Sequence, residues 1–176
     1  MKKTSNLNQP SDKKILTGDL KPIDPLFRIV LVEPEIPQNT GNIGRTCVGA
    51  NCELHLVKPM SFEIDDTKLK RAGLDYWPHL SWTIHENFKS WYDSVEDKSR
   101  IFYIENKVQK NIYEGGFQKG DWLVFGKETK GLDPDLIMEN LDRTLMIPQT
   151  GPVRSLNLAT AVAITIYEGF RQVHHK

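Results

Sequence analysis

The sequence predicts an α/β fold, a mostly parallel sheet flanked by helices. From Phe27 onward, short runs of β-branched and aromatic residues alternate with segments of helical pattern, and this alternation is typical of parallel sheets with helices on both faces. The run Phe27–Val32 (FRIVLV) is β-rich along its whole length, as expected for a strand covered on both sides. The chain has 176 residues, of which 39% are hydrophobic, so one domain with its own core is expected.

The first half of the chain contains three predicted strands and three predicted helices. The segment Asn39–Asn42 (NTGN) opens the first helix, and Pro59 follows the second strand. The third helix carries Phe88, Trp91 and Val95 on one side, which indicates an amphipathic helix. In chain order, these elements are the strand Phe27–Val32, the helix from Asn39 to about Ala50, the strand Glu53–Val57, a short charged helix at Asp65–Ala72, the strand Ser81–Ile84 and the helix His85–Val95.

The second half contains three further strands and two helices. Asp133 is a favourable N-cap, and Pro134 suits the first helical position. The last helix is the longest and is apolar on all sides, so it must be buried on more than one side. In chain order, these elements are the strand Arg100–Ile104, the strand Trp122–Phe125, the helix around Pro134–Glu139, the strand Thr144–Ile147 and the helix Ser155–Arg171.

The charge balance limits the kind of nucleic-acid binding that this chain can support. It has 23 basic and 23 acidic side chains and a formal net charge of +0. A protein that coats nucleic acid without preference needs a strong basic excess, so that class is excluded. Basic residues still cluster beside the predicted loops, so a chain of neutral net charge still allows a local binding site for an anionic group.

Residues 1–26 are expected to form a flexible arm ahead of a domain at 27–176. This segment is polar and carries five lysines and three aspartates, a net charge of +2. It has no apolar stretch of the kind found in secretory signals. No run in the chain reaches the ~18 apolar residues of a membrane-spanning helix. A cytoplasmic protein without a membrane partner is therefore expected.

Four loops are predicted to form a ligand cleft. In parallel sheets, ligands bind beyond the carboxyl ends of the strands. The segments that follow strands there are rich in glycine, proline and asparagine, and they are Glu33–Arg45, Ile104–Lys107, Gly126–Gly131 and Ile147–Asn157.

The residue types in these loops suit a charged or polar ligand. A glycine-bearing helix start followed by Arg45 could bind a phosphate, although a tight turn with an ordinary surface arginine explains the pattern equally well. Gly126 allows a close backbone approach to a ligand, and Glu128 would place a carboxylate at the cleft mouth. The glycines of the segment Gly126–Gly131 could instead serve only the geometry of a strand–helix connection. Ser155 is an acceptable cap for the last helix, whereas capping does not easily explain Arg154 and Asn157 together.

Several other chemistries find no support in the sequence. Cys47 and Cys52 lack a second cysteine pair, and the five histidines show no ligand spacing, so no metal is expected. Two cysteines in a chain of this size also exclude a disulfide scaffold. No G-x-S-x-G nucleophile turn, Walker loop or dinucleotide fingerprint is present.

Three motifs, in this order, resemble the SPOUT (α/β-knot) RNA methyltransferases. They are NTGNIGR at 39–45, LVFGKETKGL at 123–132 and MIPQTGPVRSLNLATAVAITIYEGFRQ at 146–172. The match is closer to one branch, the small single-domain tRNA (cytidine/uridine-34)-2′-O-methyltransferases. The segments that resemble this branch are EPEIPQNTGNIGRTC at 33–47, HLVKPMSF at 55–62 and RAGLDYW at 71–77.

The resemblance implies a fold, a methyl donor and partners. The fold would contain a C-terminal trefoil knot, which the usual connection rules exclude. The methyl donor would be S-adenosylmethionine, without a metal, and the substrate would be the anticodon stem-loop of tRNA. The enzyme would be a homodimer in which each active site also receives partner residues, with Arg154 and Tyr167 as candidates. By resemblance, Ile104, Gly126, Ile147 and Ser155 would line the S-adenosylmethionine site, and Asn39, Arg45, Glu128 and Asn157 would serve substrate binding or catalysis.

The family's candidate base is Arg45, but its chemistry favours another role. A guanidinium with a pKa above ~12 is a poor proton acceptor. We therefore expect Arg45 to hold the adjacent phosphate and to stabilise negative charge that develops on the ribose 2′-oxygen.

Two other functions stay open at this point. One is 2′-O-methylation at another tRNA or rRNA ribose, against which RAGLDYW argues. The other is a knotted RNA-binding protein without catalysis, against which the presence of Gly126, Glu128, Arg154, Ser155 and Asn157 argues.

Overall fold

The computed structural model describes residues 24–64, 75–106 and 108–175. Most of the predicted arm at 1–26 and the predicted charged helix at Asp65–Ala72 lie outside the described residues. Within the described residues, none of the helices has the length and apolar character needed to cross a membrane.

The strands form one parallel sheet, which confirms the predicted α/β class. Each strand lies within two residues of its predicted bounds. They are β1 (Phe27–Val32), β2 (Glu53–Val57), β3 (Trp82–His85), β4 (Ile101–Ile104), β5 (Asp121–Phe125) and β6 (Thr144–Leu145). Their order in the sheet is β3-β2-β1-β5-β4-β6, and all neighbouring pairs run parallel.

Helices pack against this sheet, and their starts depend on local capping. They are α1 (Pro37–Gly49), α2 (Phe88–Ser94), α3 (Pro134–Glu139) and α4 (Leu158–His174). The helix α1 begins two residues before the predicted Asn39, because Pro37 suits a first helical turn. The helix α2 begins later than predicted, since Asn87 forms a capping box with Ser90.

The start of α4 corrects one expectation, because Ser155 does not cap this helix. The N-cap is Asn157, whose Oδ1 accepts hydrogen bonds from the backbone N–H groups of Ala159 at 2.9 Å and Thr160 at 3.3 Å. Asparagine is among the best N-cap residues. Ser155 is therefore left in the loop before the helix, where it is exposed.

The core has two layers, one on each face of the sheet, because successive side chains of a strand point to opposite faces. On one face, Leu31 belongs to a buried cluster with Ile43 of α1 and Ile166 of α4. On the other face, Val30 belongs to a cluster with Trp91 of α2.

The long helix α4 is buried on its sheet side and exposed on another. A Cβ atom on Gly169 would lie 2.6 Å from the ring of Phe27, so helix and sheet are in close contact there. The buried residues are Val162, Thr165, Ile166 and Gly169, and the exposed large apolar residues are Ile164, Tyr167 and Phe170. Burial of α4 on a second side therefore stays a prediction, since a second copy of the chain would have to cover its exposed apolar residues.

The imidazole of His85, at the end of β3, is held neutral in the folded protein. Burial, together with the neighbouring His55, lowers its pKa to about 4, and its Nε2 lies 3.0 Å from Nδ1 of His55. An unfolded histidine has a pKa of about 6.5, so between pH 6.5 and 4 the unfolded state binds more protons. We expect the free energy of unfolding to decrease as the pH falls through this window.

Urea unfolding at a series of pH values checks this prediction. His85→Gln should remove part of the decrease, whereas His79→Gln, at an exposed position, should leave it unchanged. Equal pH dependence in His85→Gln and the wild type would contradict the assignment.

Candidate active site

A cleft of about 800 Å³ opens at the carboxyl ends of β4 and β5, beside the start of α4. The loops after β1, β4, β5 and β6 meet there, because parallel strands place their carboxyl ends at one edge of the sheet. Of the ten predicted site residues, eight line this cleft: Asn39, Ile104, Gly126, Glu128, Ile147, Arg154, Ser155 and Asn157.

Gly126 is required by the backbone of its own loop. A Cβ atom at this position would lie 2.1 Å from the carbonyl carbon of Gly131 and 2.3 Å from the nitrogen of Leu132. The loop closes on itself, since Gly131 donates a backbone hydrogen bond to Lys127 at 2.9 Å and has a φ of +71°. The close approach expected at Gly126 is therefore made to the protein's own chain, in a loop that lines the cleft.

Glu105 joins this loop to the end of β4, and sequence reasoning missed it. Its carboxylate accepts backbone hydrogen bonds from Leu132 at 2.9 Å and from Asn106 at 2.7 Å. A Cβ atom on Gly131 would lie 2.3 Å from Glu105 Oε2. An acidic residue directly after a buried strand was the available signal, but it is too common to identify a site.

Glu128 anchors the start of α1. Its carboxylate accepts hydrogen bonds from the backbone N–H of Glu35 at 2.8 Å, from that of Ile36 at 3.1 Å and from Nδ2 of Asn39 at 3.0 Å. The N-cap residue Ile36 has no side-chain cap of its own. Glu128 therefore supplies the acceptor that a capping residue would otherwise provide.

Two asparagines extend this network to α4. Asn39 is 5% exposed, and its Oδ1 accepts a hydrogen bond from Nδ2 of Asn157 at 2.9 Å. Since Oδ1 of Asn157 caps α4, the starts of α1 and α4 are joined through Glu128, Asn39 and Asn157. Each carboxamide nitrogen carries two N–H groups, and the contacts among the described residues use one of each.

A second amide pair lies in the same cleft. Nε2 of Gln149 donates a hydrogen bond to Oδ1 of Asn106 at 3.2 Å. The Oε1 atom of Gln149 is buried and has no donor among the described residues. A buried acceptor without a donor is unfavourable, so a ligand N–H or O–H group would be favoured at this point.

Arg45 and Tyr167 do not line the cleft of their own chain. Arg45 lies on α1, six residues beyond Asn39 and thus about 9 Å further along the helix. Its side chain is 65% exposed, and its Nη2 atom lies 3.9 Å from Oδ1 of Asp75. Tyr167 lies on α4, is 57% exposed, and has its ring centroid 6.3 Å from that of Phe170.

The part of the chain that the structure describes shows no cluster of side chains suited to bind a metal ion. Residues 24–64, 75–106 and 108–175 contain no cluster of three or more His, Cys, Asp or Glu side chains that could hold a metal ion.

Known proteins are similar to this chain in sequence and in fold. The model of the SpoU rRNA Methylase family matches residues 26–167. A tRNA (cytidine(34)-2'-O)-methyltransferase of Acidovorax sp. (strain JS42) is 43% identical over 150 residues, covering 84% of this chain and 92% of that protein. A solved structure concerned with the 2-OH methylation of C/U34 on tRNA is 44% identical with a TM-score of 0.75, covering 83% of this chain and 95% of the other.

A more distant structure shows the same fold. The SpoU methyltransferase AviRb from Streptomyces viridochromogenes, solved in complex with the cofactor AdoMet, is 24% identical with a TM-score of 0.71. The alignment covers 85% of this chain and 58% of that one.

Proposed function

This chain belongs to the SpoU rRNA methylase family, and on that premise we propose that it methylates the ribose 2′-oxygen of the wobble nucleotide, cytidine or uridine 34, of tRNA. The methyl donor is S-adenosylmethionine. The observation that carries the proposal is the 43% identity, over 84% of this chain, to a tRNA (cytidine(34)-2'-O)-methyltransferase. The cleft at the family's motifs supports it independently.

The cleft residues fit S-adenosylmethionine. Ile104, Gly126, Ile147 and Ser155 line the cleft and would hold the donor, largely through backbone groups. Leu132 and Ile137 add apolar walls suited to a nucleobase, and the buried Oε1 of Gln149 would accept a hydrogen bond from the bound molecule. When bound, S-adenosylmethionine supplies a methyl group on a sulfonium.

The chain's own residues would position the ribose for transfer. Methyl transfer depends on in-line placement of the 2′-oxygen, which makes it a positioning problem. Both oxygens of Glu128 already accept hydrogen bonds, so we assign Glu128 as the anchor of Asn39 rather than as the proton acceptor. Asn39 and Asn157 would offer their remaining N–H groups to the nucleotide, and Arg154 lines the cleft as a cation for phosphate.

Arg45 would bind the phosphate next to the target ribose and stabilise negative charge on the 2′-oxygen. It lies outside the cleft of its own chain, as does Tyr167. We therefore include a homodimer in the proposal: a second copy would extend the wall of each cleft with these side chains. Arg154 lines the cleft of its own chain, so it does not need a partner to reach the site.

The exposed apolar side of α4 supports a homodimer. We expect the wild-type protein to be a dimer in light scattering after size-exclusion chromatography at micromolar concentration. Tyr167→Glu should shift it toward the monomer, because Tyr167 lies beside Ile164 and Phe170 on that side. Leu141→Glu, at an apolar position outside α4 that is 48% exposed, is the control and should remain dimeric. A monomeric wild-type protein would overturn the dimer.

The proposal also includes the trefoil knot of the family and a methyltransferase domain at 27–176 with an arm at 1–26. The bound part of tRNA would be the anticodon stem-loop, and the protein would act in the cytoplasm. Each of these follows from the resemblance and from the tRNA substrate.

Transfer of tritiated methyl groups tests the function. The substrates are whole tRNA and a synthetic anticodon stem-loop, followed by nucleoside mapping. Label at position 34 in both is expected, and a stem-loop with a 2′-deoxy nucleotide at 34 should accept none. Label at any other ribose, or none in whole tRNA, would overturn the function, while label in whole tRNA alone would overturn the stem-loop as a sufficient substrate.

A further inference from the structure

We infer that Tyr76 is a positioning residue for methyl transfer, acting by holding the guanidinium of Arg45 in one orientation. The inference rests on the proposed function and assigns a role to one residue of RAGLDYW. Of this motif, the structure describes Asp75, Tyr76 and Trp77.

The ring of Tyr76 lies against the guanidinium of Arg45. The Cζ atom of Arg45 is 4.8 Å from the ring centroid, within the range of a cation–π contact. The Arg45 side chain is otherwise 65% exposed. The carboxylate of Asp75 lies 3.9 Å from Nη2 of Arg45 and is itself 88% exposed. An exposed arginine has many accessible rotamers, so the ring is the contact that restricts this one most.

The ring itself is fixed from two directions. Tyr76 is 9% exposed, and its hydroxyl donates a hydrogen bond to the carbonyl oxygen of Gly41. Gly41 lies one helical turn before Arg45 on the same helix, so Tyr76 spans the turn that carries the arginine. Burial raises the pKa of Tyr76, which keeps this hydroxyl protonated as the donor.

Tyr76, Trp77 and Leu80 pack closely on Gly44 of α1. A Cβ atom on Gly44 would lie 3.0 Å from Leu80, 3.1 Å from Trp77 and 3.5 Å from the ring of Tyr76. The segment at 76–80 therefore packs directly on the turn before Arg45. Tyr76 belongs to the buried hydrophobic core, whereas the Arg45 side chain is exposed.

The contact with the ring of Tyr76 still leaves N–H donors of the guanidinium for a ligand, because the group carries five of them. Two of these donors can bind a phosphate together. Asp75 is beyond hydrogen-bond distance, so it contributes charge without occupying those donors. Tyr76 would thus present Arg45 with its orientation already restricted, which favours the rate of transfer rather than the binding of the methyl donor.

NMR relaxation of the Arg45 side chain tests the contact without any assay of activity. In the wild-type protein, the Arg45 Nε–H group should show restricted motion and a ring-current shift. Tyr76→Phe keeps the ring and should preserve both, whereas Tyr76→Leu should lose both. An unchanged Arg45 signal in Tyr76→Leu would overturn the inference.

Single-turnover methyl transfer tests the role. Tyr76→Leu should lower the rate roughly 10- to 100-fold, the range expected when a positioned group is misplaced, with unchanged affinity for S-adenosylmethionine in calorimetry. In an Arg45→Ala background, Tyr76→Leu should cause no further loss, because the two residues act as one unit.

Trp77→Leu is the matched control, since it removes a neighbouring ring that packs on Gly44. Its effect should add to that of Arg45→Ala. An equal additive loss for Tyr76→Leu would show a merely structural role and overturn the inference while the proposed function stands. A wild-type protein without methyl transfer to tRNA would instead remove the proposed function and this inference with it.

Discussion

Gly126→Ala should abolish methyl transfer and lower the free energy of unfolding by about 3 kcal/mol, a typical cost of forcing an extra carbon into a packed site. The added Cβ would lie 2.1–2.4 Å from backbone atoms of Gly131 and Leu132. Backbone atoms cannot rotate away as a side chain can, so the loop at 126–132 has to open. That loop forms one wall of the cleft, and binding of S-adenosylmethionine should be lost with it.

Urea unfolding and calorimetric titration with S-adenosylmethionine measure the two effects separately. Gly49→Ala is the matched control, because a Cβ there meets nothing within 4 Å and should be neutral or stabilise the protein by up to about 1 kcal/mol. Wild-type stability and wild-type donor affinity in Gly126→Ala would contradict this account of the loop.

Glu128→Gln should reduce turnover roughly 100-fold, as expected when the reacting groups lose their alignment. The substitution keeps the size of the side chain but replaces one acceptor oxygen by an NH₂ donor. In either amide orientation, that donor faces a backbone N–H or Nδ2 of Asn39. We expect a loss of about 1 kcal/mol in the free energy of unfolding, since a part-buried hydrogen-bonding group is left without its partner.

A double-mutant cycle with Asn39→Ala separates anchoring from proton transfer. If Glu128 acts through Asn39, the two substitutions together should cost little more than one alone. The matched control is Glu139→Gln, at an exposed position on α3, which should retain full activity. Wild-type turnover in Glu128→Gln, or fully additive losses in the cycle, would contradict the anchoring role.

The strand ends and turn residues in the sequence predicted the loops of the cleft well and the individual contacts poorly. Four loop segments after strands were expected to meet, and the residues drawn from them that line the cleft extend from Ile36 to Asn157. Glu105 and Gln149 were missed, because an acid after a strand and a glutamine in a proline-rich loop have no distinctive pattern. Their importance comes from what lies opposite, Leu132 for Glu105 and Asn106 for Gln149.

The start of α4 is likewise only partly predictable from the local sequence. Ser155 and Asn157 are both good N-cap types and lie two residues apart, so their identities alone do not choose between them. Asn157 caps α4, and its Nδ2 also reaches Asn39. The choice is consistent with a contact across 118 residues of sequence, which no local pattern contains.

The strands, the α/β class and the family could be inferred from local patterns, because β-rich runs, turn residues and motifs act over a few neighbouring positions. Three features required the folded chain: Glu128 anchors the start of α1, Gly126 is required by its own loop, and Arg45 contacts the ring of Tyr76 outside the cleft. The partners of Glu128 lie 89 to 93 residues away. Such contacts depend on the spatial order of the parallel strands in the sheet, and that order brings distant loops to one edge of the sheet.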